Sequence, residues 1–399
     1  MTEPGSLLDP AGRIGAAVAD CVHCGFCLPT CPTYNLWHEE MDSPRGRIYL
    51  MAGLVDGTIP LSDTTVEHFD RCLGCMACLT ACPSGVKYDR LIEQTRDYVE
   101  HNHRRGPLER LVRAGIFDVF PHRRRLRAAL LFRKLPAPGP LAPLKQIAPP
   151  WAAPEWPPEH LPNDGPKVAL MAGCVASVVF GDVNAATARV LHADGYDVHV
   201  PRNQHCCGAL HAHAGRLDEG VRRARELEQA LSGYDYIVTN AAGCGSHLKD
   251  HGIANVVDVS ELLGEPRAER KPLPLRVAFQ DSCHLRHAQG ITIGPRAMLD
   301  AIPGLERLEP AEQEICCGSA GIYNIVKPRP AAELGDRKAG HVIATAPEAY
   351  ASANPGCLVQ VTAALRRADN PLPAFHPIEL VDASIRGVPR DELLAGART

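Results

Sequence analysis

The amino-acid sequence predicts an α+β and α/β protein, with a mostly helical N-terminal part and a duplicated α/β C-terminal part. Three observations support this architecture. Eight of the 16 cysteines fall in two closely spaced groups within residues 1–100. Beyond residue 165, strand-like and helix-like patterns alternate, which is typical of a parallel sheet covered by helices. The second half of that region repeats features of the first at an offset of about 110 residues, which indicates an internal duplication.

Composition limits the classes of function. The 399 residues are 45% hydrophobic with a formal net charge of −4, so we expect a globular protein without the positive field of a nucleic-acid binder. There is no apolar run of membrane-spanning length, and residues 1–20 lack the apolar core of a signal peptide. We therefore expect a cytoplasmic protein, with peripheral contact to the cytoplasmic face of the inner membrane as the alternative. In a reducing compartment, cysteines are expected to bind metal rather than to form disulfides.

We predict four segments along the chain. Residues 1–100 form the first cysteine-rich unit, residues 166–265 form one lobe, and residues 266–399 form another. Between them, residues 101–165 hold a basic amphipathic helical stretch and then ten prolines in 136–162, a density typical of an extended linker. The basic stretch is consistent with binding to an anionic membrane or to the acidic surface of a partner. The alternative is an ordinary helix pair whose basic faces are solvated.

Apolar runs and helical periodicity predict the elements of the lobes. The predicted strands are 167–173, 196–200, 236–243 and 275–283, and the predicted helices are 183–193 and 216–231. Short phrases then recur: KVALMAGC is matched by LRVAFQDSC, HCCG by ICCG, and NAAGC by NPGC. We expect two related lobes that face each other about a pseudo-twofold axis.

The first eight cysteines spell C-x2-C-x2-C-x3-C-P twice, which resembles the run of bacterial two-cluster ferredoxins. In that run the first three thiolates bind one [4Fe–4S] cluster, and the fourth binds the other. The predicted ligands are Cys21, Cys24, Cys27 and Cys82 for cluster 1, and Cys72, Cys75, Cys78 and Cys31 for cluster 2. Zinc is the alternative, but three evenly spaced ligands with a displaced fourth do not match the paired ligands of zinc sites.

The other eight cysteines form two quartets at or after the C-terminal ends of predicted strands, where α/β sheets build their sites. An adjacent cysteine pair favours a polynuclear centre or a redox-active thiol pair over a simple zinc site. Additional metal or redox residues are therefore predicted at Cys174, Cys206, Cys207 and Cys244, and at Cys283, Cys316, Cys317 and Cys357.

The two quartets resemble the CCG cysteine-rich domains of heterodisulfide reductase B subunits, in which such a domain holds a non-cubane iron–sulfur cluster. The closing C-x2-C of that family is absent, because His247 and Gln360 occupy the third position after Cys244 and Cys357. This departure argues against heterodisulfide reduction and makes His247 a candidate replacement ligand. The lobes would then hold a further iron–sulfur cluster or zinc.

The chain as a whole resembles the iron–sulfur subunits of glycolate oxidase, also called glycolate dehydrogenase. The resemblance rests on CVHCGFCLPTCPTYN, SPRGRIYL, CLGCMACLTACPSGV, NAATARVL, GCGSHLKDHG and CCGSAGIYN. It implies that two [4Fe–4S] clusters pass electrons toward a quinone or another acceptor. The electrons would come from flavin-containing subunits that oxidise glycolate to glyoxylate or D-lactate to pyruvate. Arg45 and Arg47 are expected near a cluster or the partner, or else on a solvated loop.

Catalysis of the organic reaction is not expected in this chain. It has no G-x-G-x-x-G after a strand, no Walker A loop and no nucleophile elbow, so we assign no catalytic residue and place FAD in a partner subunit. Iron–sulfur subunits of lactate-utilisation systems and of anaerobic glycerol-3-phosphate dehydrogenase share this arrangement and remain alternatives. Two further alternatives are a soluble thiol/disulfide reductase and lobes that act only as structural or zinc-bearing interaction modules.

Overall fold

The computed structural model describes residues 13–131 and 156–399. Short helices surround the two cysteine motifs, with a 3-10 turn at Glu40–Asp42 between them. The mostly helical character predicted for the N-terminal part is confirmed. The helices are α1 (Arg13–Ala19), α2 (Pro32–Trp37), α3 (Pro44–Asp56), α4 (Asp63–Arg71), α5 (Ala77–Ala81), α6 (Tyr88–Asn102), α7 (Pro107–Val119) and α8 (Arg123–Leu131).

The local sequence explains where these helices begin. The Ser43 hydroxyl accepts a hydrogen bond from the Gly46 N–H, and Pro44 opens α3. Ser62 caps α4 in the same way. Gly46 has no room for a side chain, because a Cβ there would lie 1.9 Å from the Glu40 carbonyl oxygen. This close contact holds the 3-10 turn against α3.

The core of the N-terminal part lies between α3, α4 and α6, directly beneath the motifs. The thiols of Cys72 and Cys78 belong to the same apolar cluster as the aliphatic and aromatic side chains. Its most buried members are Met51, Phe69, Leu91, Ile92 and Val99. The cysteine motifs are therefore supported from below by a hydrophobic core rather than by loops alone.

The basic stretch forms the predicted helices, α7 and α8, and its inward arginines are paired. Arg105 binds Asp70 (2.6 Å) and Glu100 (3.0 Å), and Arg113 binds Glu109 (2.9 Å). The end of the basic stretch and the prolines of 136–154 fall in 132–155, outside the described residues. The domain limits proposed from the sequence stay predictions.

The first lobe is a five-stranded sheet in the order β1-β3-β2-β4-β5, with β1 antiparallel to its neighbour and the other strands parallel. The strands are β1 (His160–Leu161), β2 (Lys167–Leu170), β3 (Asp197–His199), β4 (Tyr236–Thr239) and β5 (Val256–Asp258). The helices are α9 (Ala176–Val179), α10 (Gly181–Ala193), α11 (Ala209–His213), α12 (Leu217–Ala230), α13 (Ala242–Asp250) and α14 (Val259–Leu262).

The second lobe is a four-stranded parallel sheet in the order β7-β6-β8-β9. Its strands are β6 (Leu275–Gln280), β7 (Leu305–Leu308), β8 (Ala349–Ser352) and β9 (Ala374–Phe375). A π-helical turn spans His284–Ala288, and the helices are α15 (Ile293–Asp300), α16 (Tyr323–Val326), α17 (Pro328–Ala344), α18 (Pro355–Arg367), α19 (Pro377–Arg386) and α20 (Arg390–Ala395). Strand order matches the parallel strands of the first lobe one for one, so the predicted duplication is present.

The two lobes share one hydrophobic core. Helix α10 of the first lobe packs on α19 of the second, where the Arg189 guanidinium binds the Asp382 carboxylate at 2.7 Å. Among the described residues, no helix combines the length and the apolar character needed to span a bilayer.

Candidate metal centres

The first motif forms a loop around a small cavity at the surface. His23 and Gly25 have positive φ values of 53° and 87°, which curl the loop inward. Arg45 holds this loop, because its guanidinium donates to the His23 carbonyl (3.1 Å) and binds Glu40 (2.6 Å). Burial raises the pKa of Cys27 to about 11. The cysteines that line the cavity are Cys21, Cys24, Cys27, Cys78 and Cys82.

The second motif lies inside the protein. Its first three cysteines and Cys31 from the first motif are all buried. Cys72 Sγ accepts hydrogen bonds from the Gly74 N–H (3.3 Å) and the Tyr88 hydroxyl (3.6 Å). Burial acts to raise the pKa of Cys72, but the guanidinium groups of Arg47 and Arg96 outweigh it and lower that pKa. These two cations therefore favour the thiolate form of Cys72.

Arg47 is the cation at the centre of the second group. It is only 1% exposed, and it donates to the His68 carbonyl (2.6 Å) and the Thr33 hydroxyl (3.1 Å). Asp42, which is fully buried, lies 3.5 Å away and also binds Arg71 at 2.7 Å. The two arginines that follow the first motif thus have different positions. Arg45 holds the outer loop, and Arg47 lies beside the inner thiols.

The second motif also contacts the second lobe. Leu73 and Cys75 pack in one apolar cluster with Cys316 and Tyr323, and Cys283 lies at its edge. Burial raises the pKa of Cys75 well above its usual range, and the nearby Cys316 adds to the effect. The second cysteine group of the N-terminal part therefore adjoins the quartet of the second lobe.

The first-lobe quartet forms a chain of neighbouring thiols. Cys174 Sγ lies 3.5 Å from Cys206 Sγ, and Cys207 contacts both Cys206 and Cys244. Hydrogen bonds from the thiols of Cys174 and Cys207 lower the pKa of Cys206 well below its usual range. Gly208 after the pair has φ of 93°, and a Cβ there would lie 2.1 Å from a backbone carbonyl oxygen, so only glycine fits.

The second-lobe quartet has the same connectivity but a different electrostatic character. Cys283 Sγ lies 4.0 Å from Cys316 Sγ, and Cys317 contacts Cys357, which accepts from the Asn354 side chain at 3.5 Å. The pKa of Cys357 is raised well above its usual range, first by its hydrogen bond to Cys317 and then by burial. The second lobe therefore lacks a thiol with a strongly lowered pKa like that of Cys206.

Comparison with known proteins identifies these features. The 4Fe-4S dicluster domain matches residues 17–86, and the CCG cysteine-rich domain matches residues 168–249 and 277–362. A probable glycolate oxidase iron-sulfur subunit of Bacillus subtilis is 35% identical over 395 residues, covering 87% of this chain and 89% of that protein. The chain belongs to the glycolate oxidase iron–sulfur subunit family. The Escherichia coli glycolate oxidase iron-sulfur subunit is 33% identical, with 92% and 93% covered.

Other members of this wider group are more distant. Lactate utilization protein A of Oceanobacillus iheyensis is 25% identical over 247 residues, which is 55% of this chain and 98% of that protein. The crystal structure of a hypothetical protein from Helicobacter pylori matches with a TM-score of 0.56 at 10% identity, covering 89% of this chain and 70% of that chain. That likeness concerns the fold alone.

The cysteine sites of this member of the glycolate oxidase iron–sulfur subunit family suit anionic clusters. Thiols converge with backbone N–H groups and with the guanidinium groups of Arg47 and Arg96, which are the donors and charges that stabilise thiolate-bound iron–sulfur clusters. Membership of the family and the dicluster domain make the chain an iron–sulfur protein of an oxidoreductase complex.

The two residues that replace the closing cysteines of the CCG motif bind other groups. Gln360 donates to the Ala331 carbonyl (2.7 Å) and accepts from Asn324 (3.2 Å). His247 lies in a buried group with other histidines, where its ring is 4.6 Å from that of His251. The sequence reasoning did not find this histidine group, although the i, i+4 spacing of His247 and His251 was a usable signal.

Proposed function

We propose that this chain is the electron-transfer subunit of a flavin-dependent 2-hydroxy-acid dehydrogenase that oxidises glycolate or D-lactate. The observation that carries the proposal is a series of neighbouring thiol groups from the exposed loop at Cys24, through buried Cys78 and Cys75, to Cys316 and Cys283. The names of the Bacillus and Escherichia relatives support glycolate as the substrate. The flavin belongs to a partner subunit in this proposal.

The ligands follow from the ferredoxin-type pattern. We assign Cys21, Cys24, Cys27 and Cys82 to one [4Fe–4S] cluster, and Cys72, Cys75, Cys78 and Cys31 to the other. The first set shares one cavity, and in the second set Cys75, Cys72 and Cys31 are close enough to affect the pKa of Cys78. When bound, the clusters supply one-electron transfer, which lets a two-electron donor be discharged in steps. Arg47 compensates the negative charge of the inner site.

The surface around the first motif is the proposed contact with the external redox partner. Cys24 is exposed, and Val22 and Phe26 beside it are 68% and 66% exposed. Apolar side chains at a cysteine loop suit docking of a flavin-containing subunit, since they bury area while keeping the thiols near the partner.

A third metal centre is proposed in the second lobe. Cys316 of the quartet Cys283, Cys316, Cys317 and Cys357 packs in one apolar cluster with Cys75, a proposed ligand of the second cluster, and this contact supports the proposal. We propose a further iron–sulfur cluster there, with zinc or an empty structural quartet as the competing outcomes of the test.

The acceptor in this proposal is a quinone at the membrane surface. Leu108 and Leu111 on α7 are 55% and 71% exposed, with the exposed arginines Arg104 and Arg110 on the same segment. Leucines flanked by arginines favour peripheral contact with an anionic bilayer. Flotation of the protein with anionic vesicles, compared with neutral ones, tests this contact, and L108E/L111E should abolish it.

A second candidate function is thiol/disulfide reduction at the first lobe. It is favoured by the lowered pKa of Cys206 and by the 3.5 Å separation of the Cys174 and Cys206 sulfur atoms. Cys206→Ser should remove turnover of a disulfide substrate if this function exists, while reduction by glycolate and the partner subunit persists.

The main test is the metal content of anaerobically purified protein together with its EPR spectrum. Two clusters predict about eight iron and eight sulfide per chain, and about twelve or more iron places another cluster in a lobe. Mixing with the flavin-containing subunit and glycolate should then bleach the visible absorption, and D-lactate tested in parallel decides the substrate. Zinc in the ferredoxin-type cysteines in place of iron would overturn the proposal.

A further inference from the structure

A largely buried group of histidines with one glutamate lies where the N-terminal part meets the first lobe. We call it the His–Glu cluster: Glu93 on α6, His213 at the end of α11, His247 on α13, and His251 just after α13. The Glu93 carboxylate lies 3.0 Å from His213 Nδ1 and 3.8 Å from His251 Nε2. Ligand atoms of Glu93, His247 and His251 all lie within 4.8 Å of one another.

The cluster holds nitrogen atoms that nothing in the described chain satisfies. His247 is fully buried and Glu93 is 7% exposed. His247 Nδ1, His213 Nε2 and His251 Nε2 are buried without a hydrogen-bond partner. Buried polar atoms are nearly always paired, and an unpaired one costs about 1–3 kcal/mol. The unpaired nitrogens of His247 and His251 belong to the group of three close ligand residues, so they point to a missing ligand there.

Burial and close packing of the imidazoles determine the electrostatics of the cluster. Burial, followed by the neighbouring histidines, lowers the pKa of His247 to about 3, and burial also lowers the pKa of His251. Burial acts to raise the pKa of Glu93, but the hydrogen bond from His213 and the other imidazoles bring it to about 2.

We propose that Glu93, His247 and His251 bind one Zn²⁺ ion, with the His213 imidazole hydrogen-bonded to the Glu93 carboxylate beside it. Two imidazoles and one carboxylate are a ligand set that Zn²⁺ binds in proteins, with the fourth position of the tetrahedron left for a small ligand such as water. Imidazoles exclude Ca²⁺ and Mg²⁺ as good occupants, and the absence of a thiol among these four residues separates the site from the cysteine centres.

The position of the site indicates its role. Helix α6, which carries Glu93, also carries Arg96, whose guanidinium donates to the Cys72 carbonyl and to the His213 carbonyl (2.8 Å). A zinc ion at Glu93 therefore fixes the helix behind the second cysteine motif to the first lobe. The site is structural and does not depend on the proposed electron-transfer function.

The test is zinc analysis of the full chain, purified anaerobically with its iron–sulfur clusters and passed over a desalting column. We expect about one zinc per chain, and X-ray absorption at the zinc edge should show nitrogen and oxygen neighbours near ~2.0 Å. Zinc held in cysteine sites would instead show sulfur near ~2.3 Å. Absence of zinc, or a sulfur shell, would overturn the proposal without bearing on the iron clusters.

Variants locate the ion. His247→Ala and Glu93→Gln should each lower retained zinc by ~tenfold or more at unchanged iron content. The matched control is His199→Ala. His199 forms a second group of close ligand atoms with His160 and Asp197, and His160 is exposed. That variant should keep its zinc, and loss of zinc there with retention in Glu93→Gln contradicts the assignment. If His247→Ala does not fold, zinc retention in the near-isosteric Glu93→Gln and the zinc-edge X-ray absorption spectrum of the wild type each still test the site.

Discussion

The two ferredoxin-type motifs share one spacing but lie in opposite environments. In the first motif, Cys24 is exposed and Val22 is 68% exposed. In the second, Cys75 is buried and Leu73, at the position that matches Val22, is 6% exposed against the second lobe. Because exposure, N–H donors and nearby charge tune an iron–sulfur site, identical ligand patterns become an outer and an inner site. The spacing predicts the ligands, and the packing determines what each motif contacts.

The largest difference should appear when one cysteine of each motif is replaced. Cys24→Ser and Cys75→Ser should each lose about four iron per chain. Only Cys75→Ser should also loosen the second lobe, because Cys75 packs against Cys316. Amide hydrogen exchange over residues 316–334 measures this, and equal protection in both variants would contradict the asymmetry.

Two arginines on α3 provide the next comparison. Arg47→Met should destabilise the protein by about 3–5 kcal/mol, since it removes a buried cation and leaves Asp42 poorly compensated. Arg45→Met, two residues earlier, loses a partly exposed pair with Glu40 and should cost about 0–1 kcal/mol. Anaerobic denaturant unfolding measures both changes. A similar loss of unfolding free energy in the two variants would contradict a larger contribution from the buried Arg47 cation.

The matched apolar positions of the motifs offer a third test. Leu73→Ala should lower the unfolding free energy by about 2–5 kcal/mol, because it opens a cavity at the contact with the second lobe. Val22→Ala should change it by about 0.5 kcal/mol or less. The Val22 variant should instead slow electron exchange with the flavin-containing subunit. If Leu73→Ala lowers the unfolding free energy no more than Val22→Ala does, the inner motif does not pack against the second lobe as described.

The smallest effect concerns pH, and it arises in the first lobe rather than in either motif. Burial raises the pKa of Asp258 to about 6, although hydrogen bonds from Ser260 oppose this. The folded state therefore holds a proton that the unfolded state releases near pH ~4, so stability falls as pH rises from about 4 to about 6. The loss is at most on the order of 3 kcal/mol.

Asp258→Asn keeps the acceptor oxygen for Ser260 and removes the titration. Its unfolding free energy should lack this pH-dependent decrease, which denaturant titrations at pH 4.5, 5.5 and 6.5 will measure. An unchanged pH profile would assign the titration to another group. With this contribution removed, the remaining pH dependence can be compared between the motif variants.

Much of the fold was predictable because its signals are local. The predicted strand at 275–283 contains β6, and the predicted helix at 183–193 lies within α10. The strand predicted at 167–173 ends at Leu170, since the apolar run continues into the loop before Cys174 and periodicity does not detect where a chain leaves the sheet.

The contacts between distant segments were not predictable. The packing of Cys75 on Cys316 and the grouping of Glu93 with His213 depend on how whole domains meet, which no local pattern encodes. His247 was considered as a ligand near Cys244, but it is part of the His–Glu cluster instead. One sequence shows which residues can bind metal, and the tertiary structure determines which of them meet.

The exposure of the first loop has a consequence for handling the protein in air. Dioxygen and peroxide reach a cluster held at Cys24 before one held at buried Cys75, so damage should begin at the surface. Brief aeration should therefore yield a half-emptied protein that retains its inner iron and much of its fold. Such material would resemble a protein with one cluster. Its iron content would then reflect the exposure of the sample to air rather than the number of clusters that the protein binds.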